Sequence, residues 1–295
     1  MKHLFIMLTA FLISATSYAQ FQISVNSGYS LGSAEMKLGE TINVDETEND
    51  YGSYGEGFNF QLRGTYFFND SFGVDIGLGY LHGTDQTASK VSLPNNETDA
   101  IARARAFGAS ASVVYKFTNN IYGRFGALIK VGGKTEAVVY QKSVFSQEEA
   151  DAFGVPLGSY SETNYKEDFH GQFPLGFAAA LGYKYELNSN FSIFVEAEYY
   201  GISLKRKDSE ISQFNTDIVL PDGNVAVSGF YTLDNLPAGY VKKTTYVDNL
   251  SNTNTDPSKK LAQKVPYSSF GINFGITYHF KCSAKKNNSM TTEDL

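Results

Sequence analysis

The sequence predicts an all-β chain that closes on itself as an antiparallel transmembrane β-barrel, of eight strands or, as the alternative, ten. Three observations carry this. Eight segments alternate apolar and polar residues with a period of two, the period of a strand with one apolar face. The connections alternate between tight polar turns and long polar stretches, as expected of a barrel whose two ends face different compartments. The chain opens with the features of an export signal, and no later apolar run approaches the roughly 20 residues that a membrane helix needs.

The export signal comes first. Lys2 supplies a positive start, Leu4 to Ile13 form an apolar core interrupted only by Thr9, and Ser17-Tyr18-Ala19 is a small-x-small cleavage site. Residues 1–19 are therefore read as a removed signal peptide, with the mature chain beginning at Gln20. No Cys immediately follows the cleavage site, so a lipoprotein anchor is not expected.

The strands follow in order. The first puts Phe21, Ile23, Val25, Tyr29 and Leu31 on one face and Gln22, Ser24, Asn26 and Ser30 on the other. The second sets Phe58, Phe60, Leu62 and Tyr66 against Asn59, Gln61, Arg63 and Thr65. The third sets Phe72, Val74, Ile76 and Leu78 against Gly73, Asp75, Gly77 and Gly79. The fourth runs from about Arg103 to Phe117, and the fifth opposes Phe125, Ala127, Ile129 and Val131 to Tyr122, Arg124 and Lys130. The sixth is read as one run from Phe169 to Tyr185, with His170 and Lys184 on its polar face. The seventh opposes Ile193, Val195 and Ala197 to Ser192, Glu196 and Glu198; the eighth opposes Phe270, Ile272, Phe274, Ile276, Tyr278 and Phe280 to Asn273, Thr277 and His279.

Asn69-Asp70, Thr118-Asn119-Asn120 and Asn188-Ser189-Asn190 read as tight turns. Residues 34–55, 83–102, 140–167 and 205–266 read as long polar loops. Short turns would then face the periplasm and long loops the outside. Within the last loop, residues 218–227 read as a hairpin around Pro221-Asp222-Gly223, which is the source of the ten-strand alternative. Its outward parity lacks a run of aromatics, which favours a hairpin outside the membrane. The barrel domain spans 20–280, and 281–295 form a polar periplasmic tail that carries the single Cys282.

The alternation has a physical origin. In hydrocarbon every backbone polar group must pair within the protein, so a sheet must close. Its outer face then meets lipid and its inner face does not. The aromatics near strand ends, such as Tyr66, Phe72, Phe117, Phe191, Tyr278 and Phe280, would form a girdle at the periplasmic interface. Composition agrees, with 20 Tyr, 23 Phe and 27 Gly but no Trp. The formal charge is −7, or −8 once Lys2 leaves with the signal. An acidic exported chain lacks the electrostatic footprint for nucleic acid. It would be repelled by bare anionic lipid unless divalent cations intervene.

On these residues the chain resembles the small bacterial outer-membrane β-barrel family, of the OmpA-transmembrane-domain and OmpX type. Phe274-Gly275-Ile276-Thr277-Tyr278-His279-Phe280 is similar to the terminal signal that the barrel-assembly machinery reads in that family, with Phe274, Ile276, Tyr278 and Phe280 as its outward residues. The resemblance implies outer-membrane lipids, lipopolysaccharide and the assembly machinery as partners. The polar tail after Phe280 and the length of the last loop depart from the family pattern.

An eight-stranded barrel is just wide enough for side chains to fill it. The inward parity carries Arg63, Asp75, Arg124, Lys184, Glu196 and Glu198, expected as an ion-pair network that plugs the lumen. Counting from the turn at 69–70 predicts Arg63 and Asp75 as cross-strand neighbours, and Lys184 and Glu196 stand at similar heights. His82, His170 and His279 are the histidines of the mature chain. They could serve a hydrolase only as part of a triad that the sequence does not spell, as no Gly-x-Ser-x-Gly elbow is present. The acidic run Asp45-Glu46-Thr47-Glu48-Asn49-Asp50 lacks the spacing of a calcium loop. No catalytic residue, metal or cofactor is expected. The expected function is a non-enzymatic structural or surface-interaction barrel whose long loops meet an extracellular ligand. A narrow channel is the alternative, and an outer-membrane hydrolase or acyltransferase a more distant one.

Overall fold

The computed structural model describes residues 20–33 and 36–280; the expected signal at 1–19 and the tail at 281–295 lie outside the described residues. The chain begins with β1 (Gln20–Gly32), β2 (Met36–Ile42), β3 (Thr47–Gly52), β4 (Gly57–Phe67), β5 (Phe72–Gly83) and β6 (Gln86–Leu93). It continues with β7 (Asn96–Lys116), β8 (Ile121–Val144), the short helix α1 (Gln147–Phe153), β9 (Tyr160–Gly171) and β10 (Leu175–Glu186). The last elements are β11 (Phe191–Gly201), β12 (Ser203–Val219), β13 (Val225–Thr232), β14 (Lys243–Val247), β15 (Lys259–Leu261), β16 (Lys264–Pro266) and β17 (Ser269–His279).

Eight of these strands form a closed antiparallel ring. β1 pairs with β4, β4 with β5, β5 with β7 and β7 with β8. β8 pairs with β10, β10 with β11, β11 with β17, and β17 returns to β1. Burial is inverted relative to a water-soluble sheet: Phe274 is 66% exposed while its neighbour Asn273 is 0% exposed. Phe60, Leu62, Ile76, Leu78, Phe125 and Ile276 stand out from the wall, and Gln22, Ser24, Asn26, Thr65 and Ser112 are buried inside it. Such a wall is stable where hydrocarbon surrounds it. Aromatic rings pair along the outside of the turn end, including Phe21–Phe280, Tyr66–Phe68, Phe72–Tyr115 and Phe191–Tyr278.

The three tight turns share one device. The Asn69 side-chain oxygen accepts from the amides of Ser71 and Phe72, Thr118 Oγ1 from those of Asn120 and Ile121, and Asn188 Oδ1 from those of Asn190 and Phe191. A short polar side chain thus replaces the backbone partner that a reversing chain loses.

The opposite end differs from expectation. The stretches read as loops are largely sheet. β7 and β8 run far past the ring and pair along almost their whole length. β6 joins β7, β2 joins β3 and β6, and β9 lies between β8 and β12. β13, β14 and β16 attach to β12. The 218–227 hairpin forms as read, with Gly223 at φ +87° in its turn, and it adds no strand to the ring. The sixth expected strand is two elements: β9 belongs to the extension and β10 to the ring. Pro174, which has no amide to donate, lies in the break between them.

The wall changes character along β7. Within the ring its outward residues are apolar, as at Phe107 and Val113. Beyond Phe107, Ala102, Ala104 and Ala106 are buried inward while Arg103 and Arg105 alternate outward. The outside has passed from lipid to water, so the apolar core now lies within. Tyr54, Ile202, Leu204 and Tyr267 join these alanines in that core.

Candidate functional site: the barrel lumen

The centre of the lumen is filled by charge. Arg63 from β4 donates through Nη1 to both carboxylate oxygens of Glu196 on β11, at 2.9 and 3.1 Å. Arg124 from β8 donates to Glu196 Oε1 at 2.7 Å and also to Glu198. β4, β8 and β11 are not neighbours in the ring, so these bonds cross the lumen. Arg63 and Arg124 are each 4% exposed, Glu196 is 0% and Glu198 1%. Two cations face two anions, so the buried charge balances. An isolated ion here would cost several kcal/mol.

Neutral groups complete the cluster. Tyr122 donates its hydroxyl to Glu196 Oε2 at 2.8 Å. Gln61 and Asn273 donate side-chain amides to Glu198 Oε2 at 2.7 and 2.6 Å, and Tyr200 meets Gln61. The Arg63 guanidinium lies over the Phe194 ring at 5.1 Å. Glycines make room for these rings: a Cβ at Gly182 would sit 2.3 Å from Tyr122 Cζ, and one at Gly275 2.4 Å from Phe194 Cζ. The role of Tyr122, Gln61, Tyr200 and Asn273 was not read from the sequence. Their inward parity was the available signal, but parity does not say which polar groups meet.

The residues expected at matching heights are not directly opposite. Arg63 is opposite Gly77, and Asp75 is opposite Thr65, whose hydroxyl it accepts at 2.7 Å. The register at this hairpin sets Arg63 and Asp75 on a diagonal, and Arg63 turns across the lumen to Glu196 instead. Lys184 is opposite Phe194 rather than Glu196, and its nearest carboxylate is Glu186 at 3.9 Å. Asp75, Lys184 and Lys116 instead line a small cavity of about 40 Å³ between the charge cluster and the turn end. There Lys116 lies 3.8 Å from the centroid of the Phe67 ring.

On the other side of the cluster lies a larger cavity of about 110 Å³. Gln61 and Tyr200 form part of its floor, and Ala106, Leu128, Ile202, Leu204 and Tyr267 are among its walls. Tyr54 and Tyr267, each 4% exposed, meet at 5.8 Å between ring centroids, and Tyr267 bonds to Thr135. Beyond these rings a vestibule of about 290 Å³ is lined by Leu38, Tyr54, Ala102, Phe169, Leu204 and Arg206.

The histidines are dispersed. His170 is exposed and pairs with Asp208 at 2.8 Å, and His82 meets the Tyr80 hydroxyl at 3.4 Å. His279 bonds Ser192 Oγ at 2.8 Å, but Ser192 is fully buried at the turn end. In the acidic run, Asp50 accepts from Thr41 Oγ1 at 2.9 Å across the β2–β3 hairpin. Among the described residues no three His, Cys, Asp or Glu side chains gather as a metal site. Phe274, Ile276, Tyr278 and Phe280 all stand exposed on one outer stripe at the end of the ring.

Several solved structures are similar to this chain. A major outer membrane protein from Thermus thermophilus is 13% identical, with a TM-score of 0.38 over 89% of this chain and 99% of its own. Ail, the attachment invasion locus protein of Yersinia pestis, is 11% identical, with a TM-score of 0.31 over 89% of this chain and 99% of its own. Neisserial surface protein A is 11% identical, with a TM-score of 0.31 over 88% of this chain and 97% of its own. No curated protein matches the chain in sequence. The model of the outer membrane protein β-barrel domain matches residues 4–220. The chain belongs to that family, and its place is the outer membrane.

Proposed function

We propose that this protein is a non-enzymatic barrel with a closed lumen that works through its extracellular sheet. The observation that carries the closed lumen is the buried cluster of Arg63, Arg124, Glu196 and Glu198, bonded across the barrel. With the lumen blocked, the part left to meet a ligand is the extension built from β2, β3, β6, β9 and β12 to β16. Its aromatics mostly pack on one another, as in Phe153–Phe230 and Tyr165–Phe214–Tyr240. This favours a rigid platform. Val225 and Val227 on β13 remain exposed and give an extracellular ligand an apolar edge.

The partners follow from the wall. Outer-membrane lipids take the exposed Phe, Leu and Ile of the ring. Arg105, beside Tyr80 and Phe107 at the upper rim, suits a lipopolysaccharide phosphate, whereas its neighbour Lys134 is already held by Asp168 and Glu136. The stripe Phe274, Ile276, Tyr278 and Phe280 suits the barrel-assembly machinery, and no nucleic-acid partner is assigned. Removal of the signal after Ala19 is part of this reading. The intact mass of protein purified from the membrane should begin at Gln20, and a chain retaining Met1 would contradict it.

Planar-bilayer conductance of the refolded mature protein tests the closed lumen. The native protein should conduct little, and Arg63→Ala should conduct more, because it removes one of the side chains that span the lumen. Large, stable native channels would instead favour the narrow-channel reading, for which the cavities on either side of the cluster would be the path.

A further inference from the structure

We infer that the cavity above the charge cluster is a binding site for a small monocarboxylate with an apolar body, held by Lys130. The inference goes beyond the surface role proposed above and does not depend on whether the lumen conducts.

Lys130 is the reason. It projects from β8 into the cavity, half-buried. The four charges of the central cluster satisfy one another, Arg63 and Arg124 with Glu196, and Arg124 with Glu198. Among the described residues Lys130 has no ion pair, and no charged group lies close enough to act on it. Its Nζ lies 5.5 Å from the centroid of the Tyr267 ring, a cation–π contact that leaves its three donors free for an anion. Lys130 continues the inward parity of Tyr122, Arg124 and Leu128 on β8, and a β-bulge lies just beyond it. Gly108 pairs with Lys130 and Phe107 with Gly132, so Val131 is an extra residue on the lipid side.

The walls choose the rest of the ligand. Ala106, Leu128, Leu81, Ile202 and Leu204 are apolar, and Gly79 and Gly108 add no side chain. A Cβ at either glycine would find no atom nearer than 3.4 Å, so these glycines widen the cavity and do not relieve a clash. One cation facing such walls is matched by one negative charge on an apolar body. A dianion such as inorganic phosphate would leave charge uncompensated. At roughly 10–15 Å³ of such volume per water position, the cavity of about 110 Å³ suits a ligand the size of benzoate or hexanoate. Tyr54 and Tyr267 cover it on the vestibule side, so entry requires one of these rings to turn.

The test is isothermal titration of the refolded mature protein at neutral pH with benzoate and, as its uncharged isostere, benzamide. Benzoate should bind saturably at one site. Lys130→Met should weaken benzoate at least tenfold and leave benzamide unchanged, and Ala106→Leu, which fills the cavity, should abolish both. Folding of each variant is checked by its heat-modifiable gel shift, with Lys130→Gln used if Lys130→Met does not fold. No saturable benzoate binding, equal binding of benzoate and benzamide, or benzoate binding unchanged by loss of Lys130 would each overturn the inference.

Discussion

Glu196 shows how much one position asks of its neighbours. A carboxylate with no exposure accepts from two arginines and a tyrosine, supplied by two other strands. Breaking such a pair on one side typically costs about 3–5 kcal/mol, because the remaining charge is buried without compensation. Arg63→Met should therefore lower resistance to urea in lipid vesicles by that order. Adding Glu196→Gln restores a balance of one cation, Arg124, and one anion, Glu198. The double variant should be more stable than Arg63→Met alone, and strictly additive losses would show that charge balance is not what holds the cluster. Another residue, Asp217, gives a pH signature outside the membrane. The Gly229 amide, at 2.7 Å, and then the side chains of Asn215 and Ser228 hold its carboxyl below the ordinary value of 3.8. A depressed folded value adds stability above the unfolded one and loses it as pH falls through the folded one. Amide protection in β13 should therefore drop below about pH 4, and Asp217→Asn should remove that pH dependence.

At the scale of elements, the sequence was legible where lipid enforces a period of two and illegible where it does not. β4, β5, β11 and β17 alternate large apolar with polar residues, and their outward and inward sets are as read. The extension also alternates, but its inward residues are small, as at Ala102 and Ala104, and its outward ones charged. Such a pattern reads as a polar loop unless the inversion of inside and outside is foreseen. The candidate cluster was half legible. Parity put Arg63, Arg124, Glu196 and Glu198 on the inner face, but the partners depend on which strands face each other across the ring, and residue counting from one hairpin cannot supply that. The β8 bulge is a third hidden feature. The ladders on either side of Val131 are already in register with each other, so deleting Val131 should be tolerated. Deleting Ala127 would instead consume the bulge and turn Lys130 to the lipid face just inside the upper rim, at a cost smaller than the roughly 2–4 kcal/mol of the midplane. Heat-modifiable gel shifts of the two deletions compare these outcomes, and equal tolerance would mean that turning Lys130 to the lipid face carries no measurable cost.

For the whole molecule, the ring and its extension make different claims on the same strands. All eight ladders of the ring join β1, β4, β5, β7, β8, β10, β11 and β17, and none uses the segment from β12 to β16. That segment lies over the vestibule through Leu204 and Val265. Lys205 and Lys264 face each other at its base, so residues 206–263 can be replaced by a short Gly-Ser turn between them. The shortened protein should still refold into a heat-modifiable barrel, because backbone pairing in the membrane is untouched. Its conductance should stay as low as that of the full chain, because Arg63, Arg124, Glu196 and Glu198 lie below the cut and remain paired. An open channel in the shortened barrel would place the barrier in the extension, and the charge cluster would then be a stabilising brace, not the closure.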